Sequence, residues 1–272
     1  MKEYFISEID IEKLYHLSDI KIKLDSNKRQ HLLLTGKNGS GKTSLLLEIE
    51  KFLRAINDEK LSQVFDQYPT WINEAKKKVL SASSDSEKYA ADKDLKQCLG
   101  FLKKYSDGVQ INLNQYEGLE MMYHNGKFIT AYFPSERKAQ FMRPNGVENI
   151  TLENTYGIDE SAGDILLKYM VHLKTQQAYA RNEGDQTTAN QIQKWFDRFD
   201  SALQILLDEE SIHIEYDYKK YDFKIRQNGR EPFSFNELSD GYSSVIYIVS
   251  DLILRMDKNW LLEDKISEYD YQ

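Results

Sequence analysis

The chain contains little cysteine, proline and glycine, and it lacks a long apolar run. Of 272 residues, one is cysteine, 4 are proline and 13 are glycine. Cys98 cannot form a disulfide within the chain, and a lone thiol excludes a cysteine-rich zinc site; both fit a reducing compartment. No run reaches the ~18–20 apolar residues that span a bilayer, and the first residues are charged where a secretory signal is apolar. We therefore expect a cytoplasmic protein without a membrane segment.

The charge balance is acidic. There are 36 Lys and Arg residues against 44 Asp and Glu, a net charge of −8, and 40% of the residues are hydrophobic. This composition is typical of a globular protein and does not indicate one that coats nucleic acid by bulk charge. Two short basic stretches, at Lys76–Lys78 and Arg137–Arg143, are candidate nucleic-acid contacts, and solvated surface explains them as well.

Apolar spacing predicts a mixture of strands and helices. We expect two short strands around a turn at Leu17–Asp19, and then a strand buried on both faces at Leu32–Thr35. Helical spacing runs from Ser44 to Leu80 and again from Tyr89 to Tyr105, with a surface loop between them. An extended segment is expected at Val109–Leu113.

Two Asn-Gly pairs predict hairpins, because both central residues of such a turn need positive φ. Asn125-Gly126 lies between apolar segments within 119–133, and Asn228-Gly229 lies between segments at 221–225 and 233–235. Between these hairpins, Ala162–Leu207 reads as a helical pair that bends at 182–185.

The sequence GKNGSGKT at residues 36–43 matches the phosphate-binding pattern G-x-x-x-x-G-K-[ST] in full. Glycines allow backbone N–H groups to converge on an oxyanion, and the helix that follows adds its positive end. Lys42 would reach the β- and γ-phosphates of a nucleotide, and the Thr43 hydroxyl would ligate Mg²⁺. The predicted nucleotide-binding set is Gly36, Asn38, Gly39, Ser40, Gly41, Lys42, Thr43 and Ser44.

This loop, the strand pair before it and the Ser44-Leu45-Leu46 after it resemble the opening of ABC-type ATPases of the RecF-like, SMC-like and OLD-like group. The resemblance covers Ile9–Leu47 most closely. It implies an α/β fold, a P-loop NTPase head of ABC type with antiparallel hairpins and a helical lobe, and it implies ATP and Mg²⁺ as cofactors. Tyr15 and His16 could stack on adenine by the same analogy, and a plain turn explains them equally. No N-K-x-D element for guanine is present, which disfavours a GTPase.

Leu238-Ser239-Asp240-Gly241 is similar to the signature motif of that family, usually L-S-G-G-Q or L-S-x-G-E. It precedes a predicted helix from Ser244 to Met256. A hydroxyl at Ser239 and a bare N–H at Gly241 would form a second phosphate-binding turn, which in the family closes on the γ-phosphate held by another subunit. The chain departs from the motif at Asp240 and Tyr242. A plain helix cap is the alternative interpretation.

The resemblance also places a Q-loop at 131–137, where a polar side chain meets the metal or the attacking water. Glu136 is the preferred catalytic candidate beside Lys42, with Gln140 as the alternative. An ion pair between Glu136 and Arg137 in a solvated loop is the competing interpretation.

The family's hydrolytic strand, four apolar residues followed by Asp-Glu, does not occur. Asp159-Glu160 lacks the apolar run, and the run at Val245–Asp251 continues as a helix. The resemblance places such a strand after the signature helix, so we expect a head that is incomplete at its C-terminus. The expected organisation is an N-terminal part of the head at 1–160 with a helical insertion at 53–107, a helical lobe at 161–208, and a hairpin with the signature helix at 209–272.

The resemblance implies an ATP hydrolase of DNA repair or anti-phage defence that forms a homodimer or higher homo-oligomer through ATP. A nuclease or another effector is an implied partner; the net charge does not indicate nucleic acid, and no membrane is expected. Two other functions compete with this interpretation. One is a non-hydrolysing nucleotide sensor or scaffold, and the other, ranked last, is a small-molecule kinase.

Overall fold

A computed structural model describes residues 3–134 and 141–262 of the chain, without the side chains of Asp240 and of residues 258–262. The residues divide into two compact units, Met1–Thr130 and Ala131–Gln272. Helices and two small antiparallel sheets make up both units, which confirms the expected mixture of α and β structure.

Unit 1 consists of one three-stranded sheet and four helices. The sheet has the order β2-β1-β3, and β1 is antiparallel to both neighbours, with Ile9 opposite Ile22 on one side and Ile111 on the other. The elements are β1 Ile6–Leu14, β2 Leu17–Lys23, α1 Lys42–Asn57, a π-helical turn Gln63–Gln67, α2 Tyr68–Ser81, α3 Asp85–Lys103, β3 Val109–Leu113 and α4 Leu119–His124.

The core of unit 1 forms because every second residue of β1 and β3 is apolar. Ile9, Ile11, Val109 and Ile111 lie on one face and pack with residues of α1, of which Phe52 is fully buried. Ser84 begins α3 with a capping box, since its hydroxyl accepts from the N–H of Glu87 while that side chain returns to the Ser84 N–H.

Unit 2 contains a helical pair, a second antiparallel sheet and one long helix. The sheet has the order β4-β5-β6. The elements are a 3-10 turn Ala162–Ile165, α5 Leu166–Glu183, α6 Gln186–Leu207, β4 His213–Asp217, β5 Asp222–Arg226, β6 Phe233–Ser234, a 3-10 turn Phe235–Glu237 and α7 Asp240–Leu262.

An aromatic cluster holds unit 2 together. The rings of Trp195 and Phe199, both on α6, stack on each other with centroids 5.5 Å apart. Phe196 of the same helix stacks on Phe223 of β5, with centroids 6.1 Å apart. Burial of such rings contributes more than that of any other side chains. The segments at 161–208 and 209–262, which the sequence analysis separates, thus share one hydrophobic core.

Several sequence predictions are confirmed. The two N-terminal strands, the strand at 109–113, the helices on both sides of a short loop at 82–84, and the hairpin around Asn228-Gly229 are all present. The helical pair bends at Gly184, and Asp185 caps α6 by accepting from the N–H of Thr188. The first turn differs slightly: it lies at Tyr15-His16, and Leu17–Asp19 already belongs to β2.

The predicted buried strand at Leu32–Thr35 is wrong. These residues form no regular structure, and the side chain of Leu33 is 84% exposed. A strand exists only when a neighbour accepts its backbone hydrogen bonds, and no strand among the described residues pairs with this segment. The phosphate-binding pattern is therefore preceded by an irregular segment.

The predicted hairpin around Asn125-Gly126 is also wrong. Residues 119–124 form α4, and Asn125-Gly126 ends it, with the N–H of Gly126 donating to the carbonyl of Tyr123 at 2.8 Å. Gly126 has a φ of 68°. Positive φ serves a helix end as well as a hairpin turn, so the pair alone does not distinguish the two.

Among the residues that the structure describes, no helix has both the length and the apolar character that crossing a membrane requires.

Candidate functional site

The phosphate-binding pattern occupies the loop that leads into α1. The loop turns tightly at 37–40, where the N–H of Ser40 donates to the carbonyl of Lys37 at 3.2 Å. Helix α1 begins at Lys42, directly after Gly41, and its first turn has neither an acidic residue nor a capping side chain. The positive end of α1 is therefore not neutralised by its own sequence, which favours an anion there.

Gly41 is required by its surroundings. Its φ is +88°, and a Cβ at this position would lie 2.8 Å from Cδ1 of Leu17. Any other residue would adopt a strained backbone here, and its Cβ would also have to displace the side-chain methyl of Leu17. The close approach of the loop to β2 thus depends on this glycine.

The ammonium group of Lys42 folds back over the loop. Its Nζ donates to the carbonyls of Gly36 and Lys37, both at 2.8 Å, and lies 3.3 Å from Oγ of Ser40. An ammonium has three protons, and this arrangement uses all of them. Binding of a phosphate by Lys42 requires the exchange of one of these partners, while the other two keep the charge at the loop.

Several backbone N–H groups of the loop are available to bind a ligand. Those of Asn38, Gly39 and Gly41 donate to no acceptor within the described parts of the chain. Convergent N–H groups without partners at a helix start are the arrangement that binds phosphate oxygens in proteins.

A cavity of about 550 Å³ opens at this loop. Residues 38–44 line one side, and Tyr15 and His16 of the β1–β2 turn line the other. Tyr15 is 78% exposed, so its ring is accessible to a ligand. The volume lies within the ~300–1,000 Å³ of small-molecule sites, and the structure thus brings the suggested adenine contacts to the phosphate loop.

The Thr43 hydroxyl could hold a Mg²⁺ ion that a bound nucleotide also ligates. Thr43 lies in the first turn of α1 with an exposed side chain, as a hydroxyl ligand requires. In the described residues, no three His, Cys, Asp or Glu side chains are grouped as a metal site. Mg²⁺ commonly takes one or two protein oxygens and completes its shell with phosphates and water.

The signature-like turn lies in unit 2. Leu238 is extended, and α7 starts at Asp240, four residues earlier than predicted. Ser239 and Gly241 are both exposed, and the N–H of Ser243 donates to the carbonyl of Ser239 at 2.8 Å. A cavity of about 370 Å³ lies beside this turn, and Leu238, Ser239 and Tyr242 line it.

The two candidates for the hydrolytic strand, Asp159-Glu160 and the run that ends at Asp251, both contain a carboxylate with a structural partner. The carboxylate of Glu160 accepts from the N–H of Gly157 at 2.6 Å, which closes a turn. Asp251 is 1% exposed on α7, where it pairs with the buried Arg255 and accepts from the N–H of Gly163 at 3.0 Å. Asp251 is therefore shielded from solvent, whereas Glu160 is exposed and holds a surface turn.

The catalytic candidate Glu136 and its alternative Gln140 lie outside the described residues, as do Arg137 and Lys138.

Sequence reasoning missed Arg230, which lines the cavity at the signature-like turn. Arg230 directly follows Asn228-Gly229, so the predicted hairpin turn could have placed it in an exposed loop. Sequence reasoning also missed Asp257, a buried carboxyl on α7, which the helical spacing of that segment could have revealed.

In comparisons with known proteins, no family model, no curated protein and no solved structure matches the chain.

Proposed function

We propose that the chain is a nucleotide-binding subunit of an ABC-type ATPase, with a P-loop NTPase head, that acts in a DNA repair or anti-phage defence assembly. The observation that carries the proposal is the loop at residues 36–43. It combines unpartnered N–H groups, the Lys42 ammonium and the free start of α1 around one cavity. The resemblance of the surrounding sequence supports the ABC type.

Different residues of the loop bind different parts of the nucleotide. The N–H groups of Asn38, Gly39 and Gly41 bind phosphate oxygens, and Lys42 exchanges one carbonyl for the β- and γ-phosphates. Thr43 holds Mg²⁺ through its hydroxyl, and Mg²⁺ supplies positive charge against the phosphates. Tyr15 packs on the adenine. These contacts select a nucleotide with at least two phosphates.

The second phosphate-binding turn, Leu238–Gly241, then binds the γ-phosphate held by another copy of the chain. Since a ligand shifts an equilibrium only by its differential affinity, ATP must stabilise the pair of copies more than ADP does. Hydrolysis would release the pair, and an effector such as a nuclease would respond to the difference.

A second candidate function is a non-hydrolysing sensor or scaffold in which bound ATP holds the oligomer together. It is favoured by the position of Asp251, whose carboxylate is held in a buried ion pair with Arg255. In this case binding and association occur without phosphate release.

The test compares Lys42→Ala with the wild type, using Mg-ATP binding by calorimetry and phosphate release. Loss of the Lys42 charge is expected to weaken binding at least tenfold, because a charge-assisted contact to phosphate is lost. Lys51→Ala is the matched control, since Lys51 lies on the same helix and pairs with Glu48 at 3.1 Å. Unchanged affinity of Lys42→Ala would remove the basis of the proposal.

Phosphate release separates the two candidates. Turnover in the wild type that is absent in Lys42→Ala supports the ATPase. Tight binding without release supports the scaffold.

A further inference from the structure

We propose that Arg230 is a further phosphate-contacting residue, which binds the nucleotide of a second copy of the chain next to Ser239. The inference rests on the proposed function and adds a residue to its second phosphate-binding turn. The cavity of about 370 Å³ in unit 2 is formed by the signature-like turn on one side and by the β5–β6 turn on the other.

The hairpin determines where Arg230 lies. β5 and β6 pair with Lys224 opposite Ser234 and Ile225 opposite Phe233, so the chain reverses between Arg226 and Phe233. The N–H of Arg230 donates to the carbonyl of Gln227 at 3.2 Å, which closes the turn. The chain then passes directly from β6 through a single 3-10 turn to Ser239, and both turns thus border one cavity.

Arg230 is the one cation among the residues described as lining this cavity. Its guanidinium forms no ion pair within 4 Å in the described parts of the chain, whereas Arg226 of the same hairpin pairs with Glu215. Arg230 therefore has donors available at the cavity, and Arg226 does not.

The carboxylates near Arg230 are already engaged. Glu237 accepts from the N–H of Ser234 at 2.7 Å, and this bond lowers the pKa of its carboxyl. Glu209 accepts from the hydroxyl of Ser211 at 2.7 Å and from its N–H at 3.1 Å, and it receives a bond from Gln227 at 3.3 Å. Both carboxylates stay charged, and the positive charge of Arg230 itself helps to lower the pKa of Glu209. Their oxygens are nevertheless hydrogen-bonded to local donors, and no hydrogen bond or ion pair joins them to the guanidinium of Arg230 within the described residues.

Apart from Glu237, whose carboxylate accepts from Ser234, the other polar side chains of the cavity can donate to an oxyanion. Ser239 and Tyr242 contribute hydroxyls, and Tyr242 stands where Gln or Glu is usual in the resembling motif. Leu238 and Phe233 form apolar walls, which strengthen a charge–charge contact by excluding water. A guanidinium is planar and binds two oxygens of one phosphate at once, a geometry that an ammonium cannot reproduce. Arg230 would thus distinguish a terminal phosphate from its absence.

The test uses the full chain and measures self-association by sedimentation velocity with Mg-ATP, with a non-hydrolysable ATP analogue and with Mg-ADP. For Arg230→Ala we expect nucleotide affinity of the single copy within twofold of the wild type. We expect ATP-dependent association to weaken at least tenfold and the preference for ATP over ADP to disappear. Arg230→Lys should recover part of the association, because it restores the charge without the planar fork.

Lys220→Ala is the matched control, since Lys220 is an exposed cation in the β4–β5 turn of the same sheet. It should associate as the wild type does. Association of Arg230→Ala equal to that of the wild type would overturn the role of Arg230 while leaving the proposed function intact. A wild type that fails to bind Mg-ATP, or binds it without associating, would overturn both.

Discussion

At the scale of single residues, the most unusual group is the carboxyl of Asp257 on α7. Its side chain is 1% exposed, and it faces the hydroxyl of Tyr169 and the indole N–H of Trp195. Neither of its oxygens makes a hydrogen bond of ordinary geometry within the described residues. Burial disfavours the charged form and raises the pKa of Asp257 to about 7. The stability of unit 2 should therefore depend on pH through the protonation of Asp257.

We predict that the stability of unit 2 decreases as the pH rises from about 4 to about 7. Below the pKa of the unfolded state, ~3.9, Asp257 is protonated in both states. Between the two pKa values, Asp257 keeps its proton in the folded state and loses it in the unfolded state. The stabilisation that this proton gives to the folded state decreases as the pH rises and is lost once the pH passes the pKa of the folded state. With ~1.36 kcal/mol for each unit of pKa difference, the expected loss is about 4 kcal/mol in the free energy of unfolding, measured by urea denaturation.

Asp257→Asn keeps the shape and removes the titration, so its stability should be nearly constant over this pH window relative to the wild type. Glu183→Gln, an exposed substitution at the end of α5, should keep the slope. Identical pH profiles for Asp257→Asn and the wild type would contradict the prediction.

Gly108 shows how one residue controls the β1–β3 connection. Its carbonyl accepts from the N–H of Lys13 at 3.1 Å, and a Cβ at Gly108 would lie 2.1 Å from the carbonyl oxygen of Lys13. That atom belongs to the backbone of β1, so it cannot move aside without distorting the sheet. The site therefore excludes every side chain.

Gly108→Ala is expected to destabilise unit 1 by ~2 kcal/mol or more, since the clash adds to a backbone of positive φ. Gly100→Ala is the contrasting variant, because Gly100 lies within α3 and a Cβ there meets nothing within 4 Å. It should stabilise by ~0.5–1 kcal/mol through helix propensity. Thermal denaturation of both variants checks the pair, and equal effects would show that the close approach at Lys13 is absent.

At the scale of secondary-structure elements, the segment before the phosphate loop is the main departure from expectation. Leu32–Leu34 has the composition of a buried strand, yet Leu33 is 84% exposed, whereas Leu45 of α1 is 4% exposed. The two leucines differ only in their neighbours. α1 packs one face on the sheet, and the leucine segment has no strand beside it within the described residues.

We predict that Leu33→Ser changes the free energy of unfolding by less than ~0.5 kcal/mol, as exposed substitutions do. Leu45→Ala should cost about 2–4 kcal/mol, because it opens a cavity in the hydrophobic core of unit 1. Urea denaturation of the two variants measures both. A cost for Leu33→Ser that approaches that of Leu45→Ala would mean that this segment is buried in solution.

At the scale of the whole molecule, each unit contains its own hydrophobic core and its own candidate phosphate-binding turn. The core of unit 1 is centred on the strands β1 and β3 and on α1, and that of unit 2 on the aromatic cluster of α6. The chain has three tryptophans, Trp71 in unit 1 and Trp195 and Trp260 in unit 2. Variants that keep only Trp71 or only Trp195, with the others replaced by Phe, let fluorescence follow the units separately.

A ligand that binds only the folded protein raises its stability by RT ln(1 + [L]/Kd). At a hundredfold excess over Kd, Mg-ATP is expected to stabilise unit 1 by ~2.7 kcal/mol, seen as an upward shift of the transition that Trp71 reports. The shift should vanish in Lys42→Ala and remain in Lys51→Ala. A transition of the wild type that Mg-ATP leaves in place would contradict nucleotide binding at this loop.

The sequence by itself determined the features that depend on neighbours along the chain. The glycines and lysine of residues 36–43 lead into a helix because the turn and the helix start are local. The helical pair bends at Gly184, and β5 and β6 pair around Asn228-Gly229, for the same reason.

The tertiary structure decided what depends on distant partners. Leu32–Thr35 is not a strand because strand pairing needs a second segment, which no local pattern specifies. Asn125-Gly126 ends a helix because α4 packs on α1 through buried residues such as Leu119, a contact that its sequence does not encode locally. Tyr15 borders the cavity of the phosphate loop, and Arg230 borders the cavity at Ser239. Both residues lie in turns between paired antiparallel strands, so strand pairing determines where they lie.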